Sequence, residues 1–562
     1  MTKKDYSKWS KEELVSRVGE LEKRKKYGLV WDEEKGAEQF EIESKEKLPV
    51  LAEVKEKKIE TDEINPVNIL MEGDNYHALS VLNYTHRGKI DVIYIDPPYN
   101  TGSENFVYND NRYNNVEQED PYKHSKWLGF MSRRLRLAKE LLNNNGTIFI
   151  SIDDNEIAQI KLLCDEIFGE GSFITAIPRI SSYQRSGQEN YMNVSHDYIL
   201  CYSYASDFNN NVQREISEED IIKKDKIGTY ISGDTKAILA ALSQGYSKGG
   251  DYDFEYNGKV YKPITKEGKR NRWLWTKERM KVAAELGILV ETKNGLRMQI
   301  YLDKRFEEGT NKMVNKDNRL IFHTADFMSN QKYTNVYGTN TLGNILGKNK
   351  FNNPKPVDLI IKLIDFSENK NAIVLDFFAG SGTTGHAVLE LNKEDGGNRK
   401  FILCTNNENN ICTEVCYPRI KKVIEGYKTP SGKKVEGFGG NLKYFRTDFV
   451  DAEPTDANKI KLTKHAIEML CLKEDTFEKV TEKEKFKIFR NGDKYTGIIL
   501  DHRGIKDFKK VIKGIKGDFS IYIFSVGDDT FDEEFEDLEQ KFKLSPIPEV
   551  ILRVYRRIFN KI

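Results

Sequence analysis

"DVIYIDPPYNTG", residues 91–102, decides how this chain is read. The run Val92, Ile93, Tyr94, Ile95 is short, apolar and rich in strand formers, as in a strand buried on both faces. It climbs into a carboxylate, Asp96, followed at once by Pro97, Pro98 and Tyr99. Strands usually end in glycine, asparagine or a helix cap. Proline locks its own φ and restricts the residue before it. An acid, two rigid residues and an aromatic ring therefore make a stiff strand tip, with a carboxylate beside a flat face.

Outward from this tip the chain alternates strands and helices. "VNILMEGDN" (67–75) is a strand and turn, "YHALSVLNYTHRG" (76–88) a helix, and "HSKWLGFMSRRLRLAKELLNNNG" (124–146) a long helix. In that helix Trp127, Met131, Leu135 and Leu142 are expected on one side, with Asn145-Gly146 as its stop. "TIFISID" (147–153), "NEIAQIKLLCDEIFG" (155–169) and "HDYILCYS" (196–203) continue as strand, helix and strand. Such alternation predicts right-handed βαβ units around a parallel sheet. Between 205 and 345 the alternation dissolves into a polar, glycine- and asparagine-rich segment, read as an inserted domain. It resumes with the helix "PKPVDLIIKLIDFS" (354–367) and the strand-turn-helix "NAIVLDFFAGSGTTGHAVLELN" (371–392). The expected units are a charged helical arm over 1–60, with Leu14, Val18 and Leu21 on one face; core halves over 61–204 and 346–438; the insert; and an α+β domain over 439–562.

A second signature lies in "VLDFFAGSGTTGHAV" (374–388). Asp376 sits at a strand tip. Gly380 and Gly382 allow positive φ and close backbone approach to a ligand. Thr383 opens a helix whose free N–H groups face the same place. The spacing excludes a phosphate-cradling P-loop and is not a clean G-x-G-x-x-G. By itself the turn is also compatible with a tight strand-to-helix connection that binds nothing.

The two signatures together resemble the amino-group DNA methyltransferases, which use S-adenosylmethionine. "DPPY" (Asp96 to Tyr99) is similar to that family's catalytic motif, and Phe378, Gly380 and Gly382 to its cofactor motif. "FNNPKPVDLI", from Phe351, resembles the segment before the cofactor motif, and "GDN" (73–75) the turn before the catalytic strand. The order of catalytic motif, insert and cofactor motif resembles the permuted β class. "KKYGLVWDEE" (25–34), "NNENNICTEVCYPRIKKVIEGY" (406–427) and "GFGGNLKYFRTDF" (437–449) narrow the likeness to the modification subunit of type III restriction-modification systems.

The resemblance implies a Rossmann-like methyltransferase fold with an inserted target-recognition domain. It also implies N6-adenine transfer at a flipped-out base in double-stranded DNA, a homodimer, and a separate restriction subunit with helicase and nuclease functions. Asp96 and the Pro97 carbonyl would accept the amine's hydrogens, Pro98 would stiffen the tip, and Tyr99 would stack on the base. For the cofactor it implies Phe351, Phe378, Gly380, Gly382, Asp376 and Thr383, with Lys355 beside them and Asp74 near the adenine. The acid for the ribose is expected after "FILCT"; Glu408 stands nearest. In the insert, "GKRNRWLWTKERMK" (268–281) offers Arg270, Arg272, Trp273 and Lys277 to DNA. Alternatives are a solitary methyltransferase, an N4-cytosine enzyme, and a non-catalytic recognition subunit.

Composition narrows the setting. Acids and bases cancel at 88 each, so any basic surface is local. Six cysteines in 562 residues argue against a disulfide framework and for a reducing compartment. Cys404, Cys412 and Cys416 lack the second pair of a zinc site, and "SIDDNE" (151–156) reads as a strand end and helix cap, so no metal is expected. The N-terminus lacks a signal peptide's apolar core, and no run reaches the roughly 18 apolar residues of a membrane span. A cytoplasmic protein is expected.

Overall fold

The computed structural model describes residues 10–11, 46–61, 65–101, 122–183, 194–204, 221–233, 235–237, 247–264, 269–292, 295–307, 309–315, 324–453, 455–525, 529, 531–538 and 541–561. The helix expected around Leu14, Val18 and Leu21 lies outside the described residues. The chain divides into two compact units, Met1–Ser206 with His323–Ile562, and Asp207–Phe322.

The first unit is built on a nine-stranded sheet among the described residues. Its strands are β1 (Lys47–Glu53), β2 (Val67–Glu72), β3 (Ile90–Ile95), β4 (Leu142–Ile152), β5 (Phe173–Ile180), β6 (His196–Ser203), β7 (Ile373–Asp376), β8 (Lys400–Thr405) and β9 (Asn441–Asp451). The order across the sheet is β1-β9-β2-β8-β7-β3-β4-β6-β5. From β9 to β4 all neighbours run parallel; β1, β6 and β5 pair antiparallel at the two edges. The central strands are apolar because helices cover both of their faces. Val92, Ile93 and Ile95 of β3 and Val374 and Leu375 of β7 are fully buried.

Helices α1 (Asn75–Thr85), α2 (Lys123–Leu141) and α3 (Ile157–Phe168) pack in succession. So do α4 (Asn335–Leu346), α7 (Tyr417–Glu425), α6 (Thr383–Asp395) and α5 (Val357–Asp365). The crossover β3-α2-β4 moves one way along the sheet and β7-α6-β8 moves the other. Right-handed crossovers of opposite direction place their helices on opposite faces. The carboxyl ends of β3 and β7 thus flank a topological switch point, where open α/β sheets bind ligands.

Three boundaries differ from expectation. The arm over 1–60 contains β1, whose Leu48, Val50 and Leu51 are buried against β9, with Lys47 opposite Asp451. The C-terminal domain was expected to start at 439, yet β9 belongs to the central sheet. An independent five-stranded sheet follows, from Glu478–Glu482 to Phe542–Ile547. The second unit ends at Phe322, not 345, so α4 folds with the first unit. Helix α2 also ends earlier than expected. Leu142 and Asn145-Gly146 lie in β4, which meets β3 through a register irregularity between Ile90 and Val92.

One glycine of α4 fixes the path of the segment that precedes α5. A Cβ on Gly338 would stand 2.0 Å from the Pro354 carbonyl oxygen and 2.9 Å from the Lys355 carbonyl carbon. Gly343, on the same helix, has nothing within 4 Å. Gly338→Ala is expected to destabilise the chain by about 1–3 kcal/mol through this overlap, and Gly343→Ala to stabilise it by about 0.5–1 kcal/mol. Chemical denaturation of both variants checks this; equal effects would contradict the packing described.

Candidate active site

At the tip of β3 the Asp96 carboxylate is held by two side chains. The Lys355 Nζ donates to Asp96 Oδ1 and to Oδ2, each at 2.7 Å. The Tyr99 hydroxyl donates to Asp96 Oδ1 at 2.9 Å and accepts from Lys355 Nζ at 2.9 Å. Lys355 is buried, while the Asp96 side chain keeps 29% exposure, so the carboxylate alone of the pair faces the cleft. Desolvation, then the Asp96 charge, pushes the Tyr99 phenol well above its ordinary range, so it remains an O–H donor. The Trp127 indole N–H donates to the Pro98 carbonyl at 2.8 Å, which fixes the tip from the α2 side. Among the described residues no donor reaches the Pro97 carbonyl.

Past the tip, Asn100 takes φ 55°. Its amide donates to Glu156 Oε1 at 2.5 Å, and His124 Nδ1 lies 2.6 Å from the same oxygen. Glu156 is wholly buried, and desolvation raises its pKa. This carboxylate ties the exit of the β3 tip to the start of α2 and the start of α3. It is therefore a structural brace, and the described residues contain no cluster of metal-ligating side chains.

The loop after β7 is shaped by its own acid. Asp376 Oδ1 accepts from the Phe378 N–H at 3.0 Å and Oδ2 from the Thr384 hydroxyl at 2.5 Å. Burial raises this carboxyl to about 7, and no cationic side chain pairs with it among the described residues. Gly380 (φ +48°) and Gly382 (φ +77°) hold left-handed backbone. Added Cβ atoms would come within 3.2 Å of the Phe351 ring and 3.0 Å of Cys416 Sγ. The loop thus packs closely between an aromatic ring and the turn Ile411–Cys416 that precedes α7. Phe378 packs against Phe130 of α2 with the rings tilted by 54° and their centroids 5.9 Å apart. The Asn75 amide donates to the Phe377 carbonyl at 3.0 Å, which joins the tip of β2 to the same loop.

Several expected ligands are already engaged. Asp74 caps α1 by accepting from the Tyr76 N–H at 2.7 Å and faces the buried Arg134 at 3.3 Å. Thr383 donates its hydroxyl to the Lys355 carbonyl at 3.2 Å and accepts from Arg419 at 2.8 Å. Asp376 bonds to its own loop and not outward. Lys355, expected beside the cofactor, directs its ammonium to Asp96. Glu408 is half-buried in the turn Glu408–Asn410 that follows β8, with the Asn406 amide 3.5 Å away. Glu156 stands where the sequence places a helix cap, at the start of α3, whereas sequence reasoning missed Trp127, Arg134 and the fully buried Arg179 as parts of the site's frame. Arg179 donates to Asp197 of β6 at 2.7 Å and to the Tyr333 carbonyl at 2.8 Å.

Within the second unit, one expected DNA contact, Trp273, is otherwise used. Trp273 is 2% exposed, in a core with Met280, Leu296 and Tyr301, and donates to the Tyr252 carbonyl at 2.7 Å. An apolar ring of that size is worth more inside than on a polar surface. Arg270 pairs with Asp251 at 2.5 Å and Asp253 at 2.7 Å. Arg272 is half-buried, and Lys277 opens the helix Lys277–Leu286, its ammonium 5.9 Å from the Tyr252 ring.

Comparison with known proteins bears on the whole of this frame. The chain is 32% identical over 400 residues to the Mod subunit of the type III restriction-modification enzyme EcoPI from Escherichia phage P1, covering 64% of this chain and 60% of that protein. It is 35% identical over 364 residues to the StyLTI Mod subunit of Salmonella typhimurium, covering 61% and 52%. It is 33% identical over 359 residues to the type II methyltransferase M.KpnI of Klebsiella pneumoniae, covering 61% and 82%. The chain thus spans between half and two thirds of the two type III subunits it matches. The family described as DNA methylase, of the N6/N4 type, matches residues 90–415, which run from β3 through the loop after β7 to the turn after β8. With both strand tips inside the matched segment, the chain belongs to the N6/N4 DNA methylase family.

Proposed function

We propose that this chain is a site-specific adenine-N6 methyltransferase that acts on double-stranded DNA as the modification and recognition subunit of a type III restriction-modification system. The observation that carries it is the pair of tips at one switch point: an acceptor-bearing "DPPY" beside a glycine loop. The residues fit S-adenosylmethionine. Asp376, which no cationic side chain pairs with among the described residues, and the half-buried Glu408 follow the ends of β7 and β8, which suits a ligand with a sulfonium and an ammonium. Phe351, Phe378 and the 380–382 backbone would hold it. When bound, this cofactor supplies an electrophilic methyl carbon.

The rest is work for the chain. An exocyclic amine is a poor nucleophile because its lone pair is delocalised into the ring. Acceptors on both N–H groups favour the geometry in which that pair points outward. Asp96 and the Pro97 carbonyl are two such acceptors on one rigid turn, a preorganised electrostatic arrangement. Reaching them requires the base to leave the duplex, at a cost of a few kcal/mol. Stacking on an aromatic face such as Tyr99 offsets about 1–3 kcal/mol of that. The second unit is the target-recognition domain. A homodimer and a separate restriction subunit complete the assembly in this reading. The similarity to M.KpnI, of which 82% is covered, favours a second reading, a methyltransferase that works without a restriction subunit.

Methylation sequencing of DNA from cells expressing the chain tests the base. Adenine marks at one short site, absent with Asp96→Ala, are expected; cytosine marks, or marks that survive the variant, would sink the proposal. In purified protein, Asp96→Ala is expected to lower kcat by on the order of 10³-fold, with cofactor affinity within about threefold of the parent. Gly382→Ala strains a left-handed residue and meets Cys416, so calorimetry is expected to find cofactor binding weakened by roughly tenfold or more. Unchanged binding would separate the glycine loop from the cofactor.

A further inference from the structure

The ammonium of Lys355 faces three acceptors: Asp96 Oδ1, Asp96 Oδ2 and the Tyr99 oxygen. On the other side, a carboxylate has roughly four lone-pair positions. Lys355 occupies one on each oxygen and Tyr99 a second on Oδ1, which leaves one on Oδ2. We propose that Lys355 is a positioning residue for methyl transfer: it fixes the Asp96 carboxylate and the Tyr99 ring so that the remaining Oδ2 lone pair receives the target amine. This rests on the reading of Asp96 as the amine acceptor.

Three further observations show how the lysine is itself held. Its carbonyl accepts the Thr383 hydroxyl at 3.2 Å, so its backbone is tied to the first residue of α6, directly after the glycine loop. Gly338 of α4 lets the Pro354–Lys355 backbone approach within what would be 2.0 Å of a Cβ. The ammonium lies 5.1 Å from the Tyr99 ring centroid, close enough for a cation–π contribution that restrains the ring as well as its hydroxyl. Lys355 is only 7% exposed and Asp96 is its ion-pair partner, so removing either leaves a charge without its neighbour. The lysine comes from the segment before the cofactor strand and reaches the tip of the catalytic one. It joins the two halves of the site through a side chain, where the sheet joins them through backbone. An unrestrained carboxylate rotates about its side-chain bonds, and displacement of a reacting group by about 1 Å is enough to cost on the order of 10²-fold in rate.

The experiment compares Lys355→Ala and Lys355→Arg with the parent chain on DNA carrying its methylation site. Readouts are kcat, KM for DNA, cofactor affinity by calorimetry, and melting temperature. Lys355→Ala is expected to lower kcat by on the order of 10²-fold, with cofactor affinity and KM within about threefold. Lys355→Arg keeps the charge without the point geometry and should fall between the two. Added propylammonium, which replaces the deleted atoms, is expected to restore Lys355→Ala by about tenfold or more and to do nothing for Asp96→Ala. Retained kcat in Lys355→Ala would overturn the proposal. So would a loss confined to cofactor affinity, or a lowered melting temperature with no ammonium rescue. A parent chain that transfers no methyl group to DNA would overturn the underlying reading together with this one, whereas an active parent with an active Lys355→Ala overturns this one alone.

Discussion

Everything at the site depends on the parallel pairing of β3 with β7, which sets Val374 beside Val92 and Leu375 beside Ile93. That register puts Asp96 and Asp376 at neighbouring strand ends although the chain between them contains a whole second unit. The pairing is reinforced at its opposite end, where Asp91 Oδ2 accepts from the Ile373 N–H, 282 positions away, at 2.8 Å. The connection from β3 goes one way along the sheet and that from β7 the other. A crevice at the two tips follows from connectivity, and the loops that end at it need only carry the right chemistry.

What those loops carry is an ordered electrostatic arrangement. The Asp96 carboxylate is held by an ammonium and a phenol; Pro98 is held by an indole; Asn100 is held by a buried glutamate. Each contact removes a rotation that a base would otherwise have to stop on arrival, which lowers the entropic cost of a productive complex. The glycine loop is built in the opposite sense. Its own acid satisfies the backbone, its glycines allow close packing, and Phe351 and Phe378 wall it with apolar rings. One tip is made to offer lone pairs and the other to cradle a ligand.

The tips were legible in the sequence because their residue types act locally. Asp96-Pro97-Pro98-Tyr99 and Gly380-Ser381-Gly382 fix the backbone within a few residues, and the apolar runs before them are unmistakable strands. The partners were not legible, since they come from far along the chain. Nothing near Lys355 reveals that its amine reaches an acid 259 positions earlier. The strand β1 was hidden among charges, where four buried residues in a row, Leu48 to Leu51, sit in a segment otherwise rich in lysine and glutamate. β9 mixes polar and apolar residues without a clear period, although its first five residues, from Asn441, are buried in the sheet. In the second unit, tryptophans among arginines suggested a nucleic-acid surface, yet the size of the Trp273 ring took it into the core.

The most direct measurement is a crystal structure of the chain with S-adenosylhomocysteine and an oligonucleotide carrying the methylation site. The account predicts an extrahelical adenine with its amine on Asp96 Oδ2 and the Pro97 carbonyl, its ring against Tyr99, Lys355 still on Asp96, and the nucleoside product lying along Gly380 to Gly382. A target base that remains stacked in the duplex, or an amine held by groups other than Asp96, would contradict it.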